Sequence, residues 1–492
     1  MSVQGRIILI IIAGLALMLP AMINGSMLLF PDSVGYYNAG EASLEKAAQL
    51  IGRPTSVAPA TSTSERHVAS VEQRADNGVS TSRSVYFGIP MVILYRIGGA
   101  WALPVVMVIV TLASLFNALP LLLRTNQWQS TIVTILLGLF TGLAVVADTA
   151  LPDLFAGLMI LAAAITFSFW ASLSSNARFG WVTLLLVSCL FHKSITAVAA
   201  TMIIAYAAIA LADRRRLRTT GIFVGILVAA FVGHAAVSIT VERVTKRSVV
   251  DAPFLLARVI SDGTAKRYLD KHCAEEKLKL CHYRSMMPMS ENQFLWSRVP
   301  GKGVMGVIPL AERRAIISEG NSIVFGTLRE NPGAQLVAST RNFIAQFFLV
   351  GVTEYLVSPR AERGKESGLS ELLNRYPETA IGRTTLPLED LSIIMRSVYL
   401  ASFAVILCVV FGPRRARFGK PLRPEVAALA WIMFGLIVNA AVSGVLAGVF
   451  DRYQGRVAWL MPLAALMAVN IAISEPNLRR DRRGVLPNAR FK

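Results

Sequence analysis

The sequence predicts an all-α polytopic membrane protein with about ten membrane-spanning helices. Of its 492 residues, 54% are hydrophobic and only 16% are charged, whereas soluble domains carry about 25% charged residues. Apolar stretches of about 20 residues, the length needed to cross a hydrocarbon core, recur along the whole chain. The net charge of +19 comes largely from basic clusters in short connections, as in cytoplasmic loops. The charge distribution therefore argues against a nucleic-acid partner.

The apolar segments define the predicted spans in chain order. The first segment follows Arg6, which favours a cytoplasmic N-terminus, and it is longer than the apolar region of about 7–15 residues in a cleaved signal peptide. Residues 181–211 are too long for one span, so two short or re-entrant helices are predicted there, with His192 and Lys193 at their far turn. The predicted spans cover residues 7–30, 101–123, 130–147, 154–170, the two parts of 181–211, 221–240, 392–411, 425–450 and 457–473.

Two long polar stretches divide the chain into modules. An N-terminal transmembrane module, residues 1–240, contains a first external loop, residues 31–85. Residues 241–391 are predicted to form an external, periplasmic domain of mixed secondary structure, inserted before the last three spans. A C-terminal transmembrane module, residues 392–474, and a basic tail, residues 475–492, complete the chain. The basic clusters place both termini in the cytoplasm, and the predicted location is the inner membrane of a bacterium.

The cysteines give a further prediction for the inserted domain. Cys273 and Cys281 flank a charged stretch there, and an oxidising compartment would favour a disulfide between them. A metal site formed with His272 and His282 is the alternative, although the paired C-x-x-C spacing of structural zinc is absent.

The most informative segment is PDSVGYY, residues 31–37, directly after the first span. An acidic residue and two tyrosines at this place are poorly suited to packing and well suited to hold a polar, ring-bearing substrate at the bilayer surface. Asp32 could take a proton from an acceptor group or orient it, with Tyr36 and Tyr37 as substrate-binding residues. A turn stabilised by Asp32 is the structural alternative.

A second acidic turn, DTALPD, spans residues 148–153 on the same predicted face. Asp148 and Asp153 could position an acceptor or, together with Asp32, bind a divalent cation such as Mg²⁺ or Mn²⁺. Asp153 follows a proline and opens the next helix, so helix capping is the alternative for it.

Cationic residues are predicted at the same face in two places. His192 and Lys193 lie within an apolar segment, where a lysine can also simply extend to the interface. Arg452 and Arg456, with Tyr453 between them, form the turn DRYQGR, residues 451–456. Guanidinium groups suit phosphate because they offer paired donors at fixed charge. Ionisable groups near a bilayer are costly and are usually kept for a function, so their predicted convergence indicates one interfacial site.

With these residues assembled, the chain resembles the GT-C superfamily of integral membrane glycosyltransferases, which take sugars from polyprenyl-phosphate carriers. The resemblance rests on PDSVGYY, on DTALPD and on the multiple spans with a large non-cytoplasmic domain. It implies an inverting transfer to an envelope glycan, lipid or protein, with Asp32 as the base. Asp148 and Asp153 would assist, and the donor phosphate would be held by His192, Lys193, Arg452 and Arg456. Whether a metal takes part is left open.

Three other functions are compatible with the sequence. A polysaccharide polymerase or ligase acting on lipid diphosphates could rely on arginine and histidine without an essential carboxylate. A transporter or flippase would more often show internal repeats and charges at mid-bilayer, whereas the unusual charges here lie at one interface. A structural subunit of an envelope assembly would use the inserted domain as its contact surface.

Overall fold

The computed structural model describes residues 2–52, 83–213, 216–246, 249, 251–275, 277–355, 386–411 and 423–484. Throughout these residues the regular structure is helical, and they contain no β-strand. The all-α prediction is therefore confirmed. Parts of the first external loop and of the inserted domain, and the end of the basic tail, lie outside the described residues.

The helices before the inserted domain follow the predicted apolar segments, with two differences in their boundaries. The predicted first span is divided in two, because a new helix begins at Leu19, with Pro20 in its first turn. The segment after it, predicted as a loop, is helical from Pro31. In chain order the helices are α1 Val3–Leu17, α2 Leu19–Asn24, α3 Pro31–Leu50, α4 Val85–Leu123, α5 Gln127–Phe140, α6 Leu143–Asp148, α7 Leu154–Phe169, α8 Ser175–Phe191, α9 Lys193–Ala212 and α10 Leu217–Thr245.

Helix α4 contains the predicted span 101–123 and begins well before it, at Val85. It runs for 39 residues, interrupted by non-helical backbone at Gly98 and Gly99. Gly99 has a φ of 60°, a left-handed conformation that glycine adopts without a steric penalty. The predicted pair of helices within residues 181–211 is confirmed, since α8 ends at Phe191 and α9 begins at Lys193. His192 has extended backbone between them.

The inserted domain is helical where the structure describes it, so the predicted mixed secondary structure is wrong for those residues. It has its own apolar core, which includes Leu256, Ile260, Phe294 and Ile316. Its helices are α11 Phe254–Ser261, α12 Thr264–His272, α13 Glu291–Trp296, α14 Leu310–Glu330 and α15 Pro332–Phe348. A disulfide joins Cys273 to Cys281, the pairing favoured by the sequence.

The chain then returns to apolar helices that pack on the first module. These are α16 Leu388–Phe411, α17 Pro424–Leu446, α18 Asp451–Gly455 and α19 Leu460–Gly484. Helix α17 lies against α7 and α15, and α16 lies against α19. Helix α7 is the centre of the bundle, since almost all of its side chains are buried. Helices α15 and α17 therefore connect the inserted domain to the apolar bundle.

Among the described residues, seven helical segments are long and apolar enough to cross a membrane, as expected of a polytopic membrane protein. Three shorter apolar helices, α1, α5 and α8, accompany them. The seven segments are Val85–Leu123, Leu154–Ser172, Lys193–Ala212, Leu217–Thr245, Leu388–Phe411, Pro424–Leu446 and Asp451–Ser474. The total of ten spans and the orientation of the termini remain predictions.

Two glycines allow α3 to lie directly on α4 near the predicted site. A Cβ added at Gly40 would lie 2.2 Å from the carbonyl oxygen of Gly88, and a Cβ at Gly88 would lie 2.2 Å from the carbonyl oxygen of Tyr36. Both neighbouring atoms belong to the backbone and cannot move aside without moving a helix. This close contact fixes the start of α3, which carries the PDSVGYY segment.

We expect Gly40→Ala to destabilise the protein by about 1–3 kcal/mol, the usual cost of overpacking, because the new methyl group would force α3 away from α4. Thermal unfolding in detergent micelles measures the effect. Gly225→Ala is the matched control, because that helical glycine has nothing within 4 Å of an added Cβ. Equal melting temperatures for both variants and wild type would contradict the proposed tight contact.

Candidate functional site

Asp32 lies in the first turn of α3 and faces two arginines. Its Oδ1 forms a close ion pair with Arg83, and its Oδ2 lies 3.6 Å from Nη2 of Arg452. The turn itself is stabilised by Ser33, whose hydroxyl accepts the backbone N–H of Phe30 at 3.1 Å. Both oxygens of Asp32 therefore contact guanidinium groups, and neither caps the helix.

Arg83, just before α4, is part of the site although the sequence analysis did not select it. Its side chain lies along α3, where a Cβ added at Gly35 would be 2.9 Å from its Cγ. Its guanidinium carbon is 5.9 Å from the centre of the Tyr36 ring. The sequence did contain a signal, because an arginine directly before an apolar helix on the predicted outer face departs from the positive-inside rule.

Arg452 in α18 connects two of the acidic residues. Its Nη2 lies 3.6 Å from Asp32, and its Nε lies 3.8 Å from Oε2 of Glu354. Both distances exceed the range of a hydrogen bond, so guanidinium donors remain for an incoming anion. The rings of Phe30 and Tyr453 hold the guanidinium in place, with centres 4.2 and 5.2 Å from its carbon. Its side chain is 14% exposed.

Arg456 forms the buried part of the same site. Its side chain is 1% exposed, and its Nη1 lies 3.3 Å from Oδ1 of Asp153. Its Nη2 donates to Oδ1 of Asn439 at 3.1 Å and to Oγ of Ser194 at 3.5 Å. Its Nε is buried and has no hydrogen-bond partner among the described residues.

Asp153 is held between Arg456 and the segment that follows α15. The hydroxyl of Tyr355 donates to its Oδ2 at 2.8 Å. Asp153 occupies the cap position of α7, but its side chain makes no capping hydrogen bond. Burial alone would raise the pKa of Asp153, but Arg452 and Arg456 outweigh burial and lower this pKa. Asp153 is therefore a charged, internally paired carboxylate.

His192 and Lys193 reach different surroundings. The Nδ1 of His192 accepts the backbone N–H of Ser194 at 3.1 Å, which caps α9. Burial and the nearby Arg456 lower the pKa of His192 to about 3, so its ring is neutral at pH 7 and adds no positive charge for a phosphate. The Nζ of Lys193 lies 2.6 Å from Asp251, at the entrance to the inserted domain. Lys193 thus pairs away from Asp32 and Asp153.

Of the three predicted tyrosines, Tyr36 and Tyr453 lie beside arginines of the site, whereas Tyr37 packs in the core. The buried ring of Tyr36 packs edge-on against Phe87 at 5.3 Å, and Tyr453 lies beside both Arg452 and Arg456. The buried ring of Tyr37 packs against Tyr95 at 6.1 Å. Tyr37 therefore serves the packing of α3 on α4.

Asp148 is fully buried and turns toward α2 rather than toward the arginines. Its Oδ2 accepts the backbone N–H of Ala21 at 2.7 Å, and burial raises the pKa of this carboxyl well above its usual range. Its backbone oxygen also accepts the N–H of Leu28, within an isolated bridge between Leu28 and Thr149. Asp148 thus helps to fix the segment that leads into α3.

The three predicted acidic residues do not form a metal site together. Asp32 and Asp153 pair with arginines, and Asp148 bonds to α2. Among the described residues, no group of three or more His, Cys, Asp or Glu side chains is placed to hold a metal ion. The carboxylates present do not fit the divalent-cation site proposed from the sequence.

An apolar groove begins beside this polar cluster. The groove has a volume of about 680 Å³ and lies between α4 and α8, with Phe155 of α7 at its base. Phe87, Phe155 and Phe191 form the end near the cluster, and Phe191 directly precedes His192. The lining follows α8 from Ser174 to Phe191, about 25 Å at 1.5 Å per helical residue. This length approaches the thickness of the hydrocarbon core of a bilayer, about 30 Å.

The cluster joins side chains from seven separate parts of the chain, and only some were predicted. Asp32, Asp153, His192, Arg452, Tyr453 and Arg456 come from the sequence analysis. The residues that it missed are Arg83, Ser194, Glu354, Tyr355 and Asn439. No protein-family model, curated protein or solved structure matches this chain.

We expect Arg456→Met to destabilise the protein by about 3–5 kcal/mol, because it leaves the buried Asp153 carboxylate without its partner. Arg452→Met should cost less, since Arg452 is partly exposed. Thermal unfolding in detergent measures both variants. Adding Asp153→Leu to Arg456→Met should restore much of the lost stability. If the double variant is less stable than Arg456→Met alone, Arg456 does not stabilise the protein through its pair with Asp153.

Proposed function

We propose that the protein is a membrane glycosyltransferase. It moves a sugar from a polyprenyl-phosphate donor to an envelope glycan, lipid or protein on the periplasmic face of the bacterial inner membrane. The observation that carries the proposal is the contact between a partly open cluster of arginines and carboxylates and a long apolar groove. A substrate with an anionic head and a hydrocarbon tail matches both parts.

The arginines provide a suitable receptor for the donor phosphate. Arg452 has guanidinium donors that no described residue uses in a hydrogen bond, and the rings of Phe30 and Tyr453 fix its position. Guanidinium groups bind phosphate through paired, charge-assisted hydrogen bonds. They would also stabilise the charge that develops on the phosphate as it leaves the sugar. Phosphate stabilisation by fixed cations requires no metal ion, so we expect transfer to tolerate a chelator.

The carboxylates would orient the acceptor and take its proton. In a single displacement the acceptor oxygen attacks the anomeric carbon while the bond to the phosphate oxygen breaks. The electron pair of that bond leaves with the polyprenyl phosphate, and the hydroxyl proton passes to a carboxylate. One displacement inverts the anomeric configuration. Asp32, at the centre of the arginines, would orient the reacting groups.

We expect Asp32→Asn to reduce sugar transfer about 100-fold, the scale of loss when reacting groups are misplaced. The measurement is transfer of radiolabelled sugar from a panel of polyprenyl-phosphate donors, with and without chelator, by membranes of a deletion strain carrying each variant. Asp390→Asn is the matched control, because Asp390 is exposed at the start of α16. Robust transfer that is indifferent to Asp32→Asn would instead favour a polymerase or ligase that relies on arginine.

We expect Val187→Trp, which places a large ring in the groove, to reduce transfer from long-chain donors at least tenfold and to spare donors with a short, soluble chain. Transfer from long-chain donors should fall more because only a long polyprenyl chain would occupy the groove. Val224→Trp on the outward face of α10 is the control, since Val224 is 44% exposed. Equal losses for both chain lengths would show that the groove does not hold the carrier.

A further inference from the structure

Glu354 occupies a fixed position at the opening of the cluster. It lies in the short 3-10 turn Thr353–Tyr355, just after α15. The backbone N–H and the hydroxyl of Thr353 donate to Oδ2 of Asp451 at 3.2 and 2.5 Å, and Tyr355 donates to Asp153. Both neighbours of Glu354 are thus anchored, while its own side chain is 33% exposed.

The carboxylates of the cluster differ in how many partners they have. Asp32 uses both oxygens on arginines, and Asp153 uses both on Arg456 and Tyr355. Oδ2 of Asp451 takes both donors of Thr353, and its Oδ1 is buried. Glu354 has one ion pair, at 3.8 Å to Nε of Arg452, and accepts the backbone N–H of Asp451. Of these carboxylates it is the least engaged and the most exposed.

The surroundings also suit Glu354 to proton transfer near neutral pH. Burial and the negative charge of Asp451 raise the pKa of Glu354 to about 7, with Asp153 acting in the same direction and Arg452 opposing them. A general base works best when its pKa lies near the working pH.

Resting on the proposed function, we propose that Glu354 accepts the proton of the acceptor hydroxyl, and that Asp32 is a positioning residue for Arg83 and Arg452. As the acceptor oxygen bonds to the anomeric carbon, its proton moves to a carboxylate oxygen of Glu354. The bond between the anomeric carbon and the phosphate oxygen breaks, and its electrons stay on the phosphate. Glu354 then returns the proton to water.

Arg452 links the proposed base to the proposed phosphate site. The same guanidinium contacts Asp32 on one side and Glu354 on the other. A phosphate bound to the remaining donors of Arg452 would therefore lie close to the carboxylate of Glu354. The attacking and leaving oxygens would then be close to a base and to a cation respectively, as a displacement requires.

The test compares transfer kinetics of purified wild type, Glu354→Gln and Glu354→Asp from pH 5.5 to 9. For wild type we expect kcat/KM to rise with pH through about 7, since only the ionised carboxylate accepts a proton. Glu354→Gln should lower kcat about 100-fold or more, with donor KM within threefold and with the acid limb lost. Glu354→Asp should recover part of the rate.

Glu389→Gln is the matched control, because it makes the same change at an exposed glutamate in the first turn of α16. Melting temperatures establish that each variant is folded. Transfer by Glu354→Gln within tenfold of wild type, or an acid limb that persists in it, would overturn the assignment while leaving the proposed function standing. Absence of transfer by wild type from every donor would overturn both.

Discussion

The ion pair between Arg456 and Asp153 is the constraint on which the cluster depends. Two opposite charges removed from water are stable only when they lie close together and their remaining hydrogen-bonding groups are satisfied. Here Asn439, Ser194 and Tyr355 supply those partners. Each partner belongs to a different segment, so satisfying one buried pair brings α7, α9, α17, α18 and the turn Thr353–Tyr355 to the same place.

The partly exposed groups are arranged around this buried pair. Arg452 lies four residues before Arg456, and its guanidinium is held by rings rather than by strong hydrogen bonds. Asp32 and Glu354 contact it from opposite segments. The site thus has a rigid interior, in which Arg456 is paired with Asp153. It also has an outer layer, in which Arg452 and Glu354 make longer contacts. A bound anion would engage that outer layer without disturbing the interior.

The sequence predicted the helical framework and about half of the cluster, for identifiable reasons. Apolar length and basic loops determine where helices cross and which ends share a face, and this was sufficient to bring Asp32, Asp153, Arg452 and Arg456 to one region. Glu354 and Tyr355 escaped prediction because they lie in an irregular segment whose position depends on tertiary contacts with Asp451 and Asp153. Asp148 and Lys193 were predicted on the same face, but a shared face does not determine which neighbour a side chain meets.

The short helix α8 has a consequence for the surrounding lipid. Its 17 residues span about 25 Å, less than a hydrocarbon core of about 30 Å. In a bilayer, the lipids beside α8 must shorten or tilt to keep its polar ends hydrated. Since α8 forms one wall of the apolar groove, the thinned patch would lie at the groove itself. Water and lipid head groups would then reach deeper beside His192, and a lipid that enters the groove would do so where the membrane is already deformed.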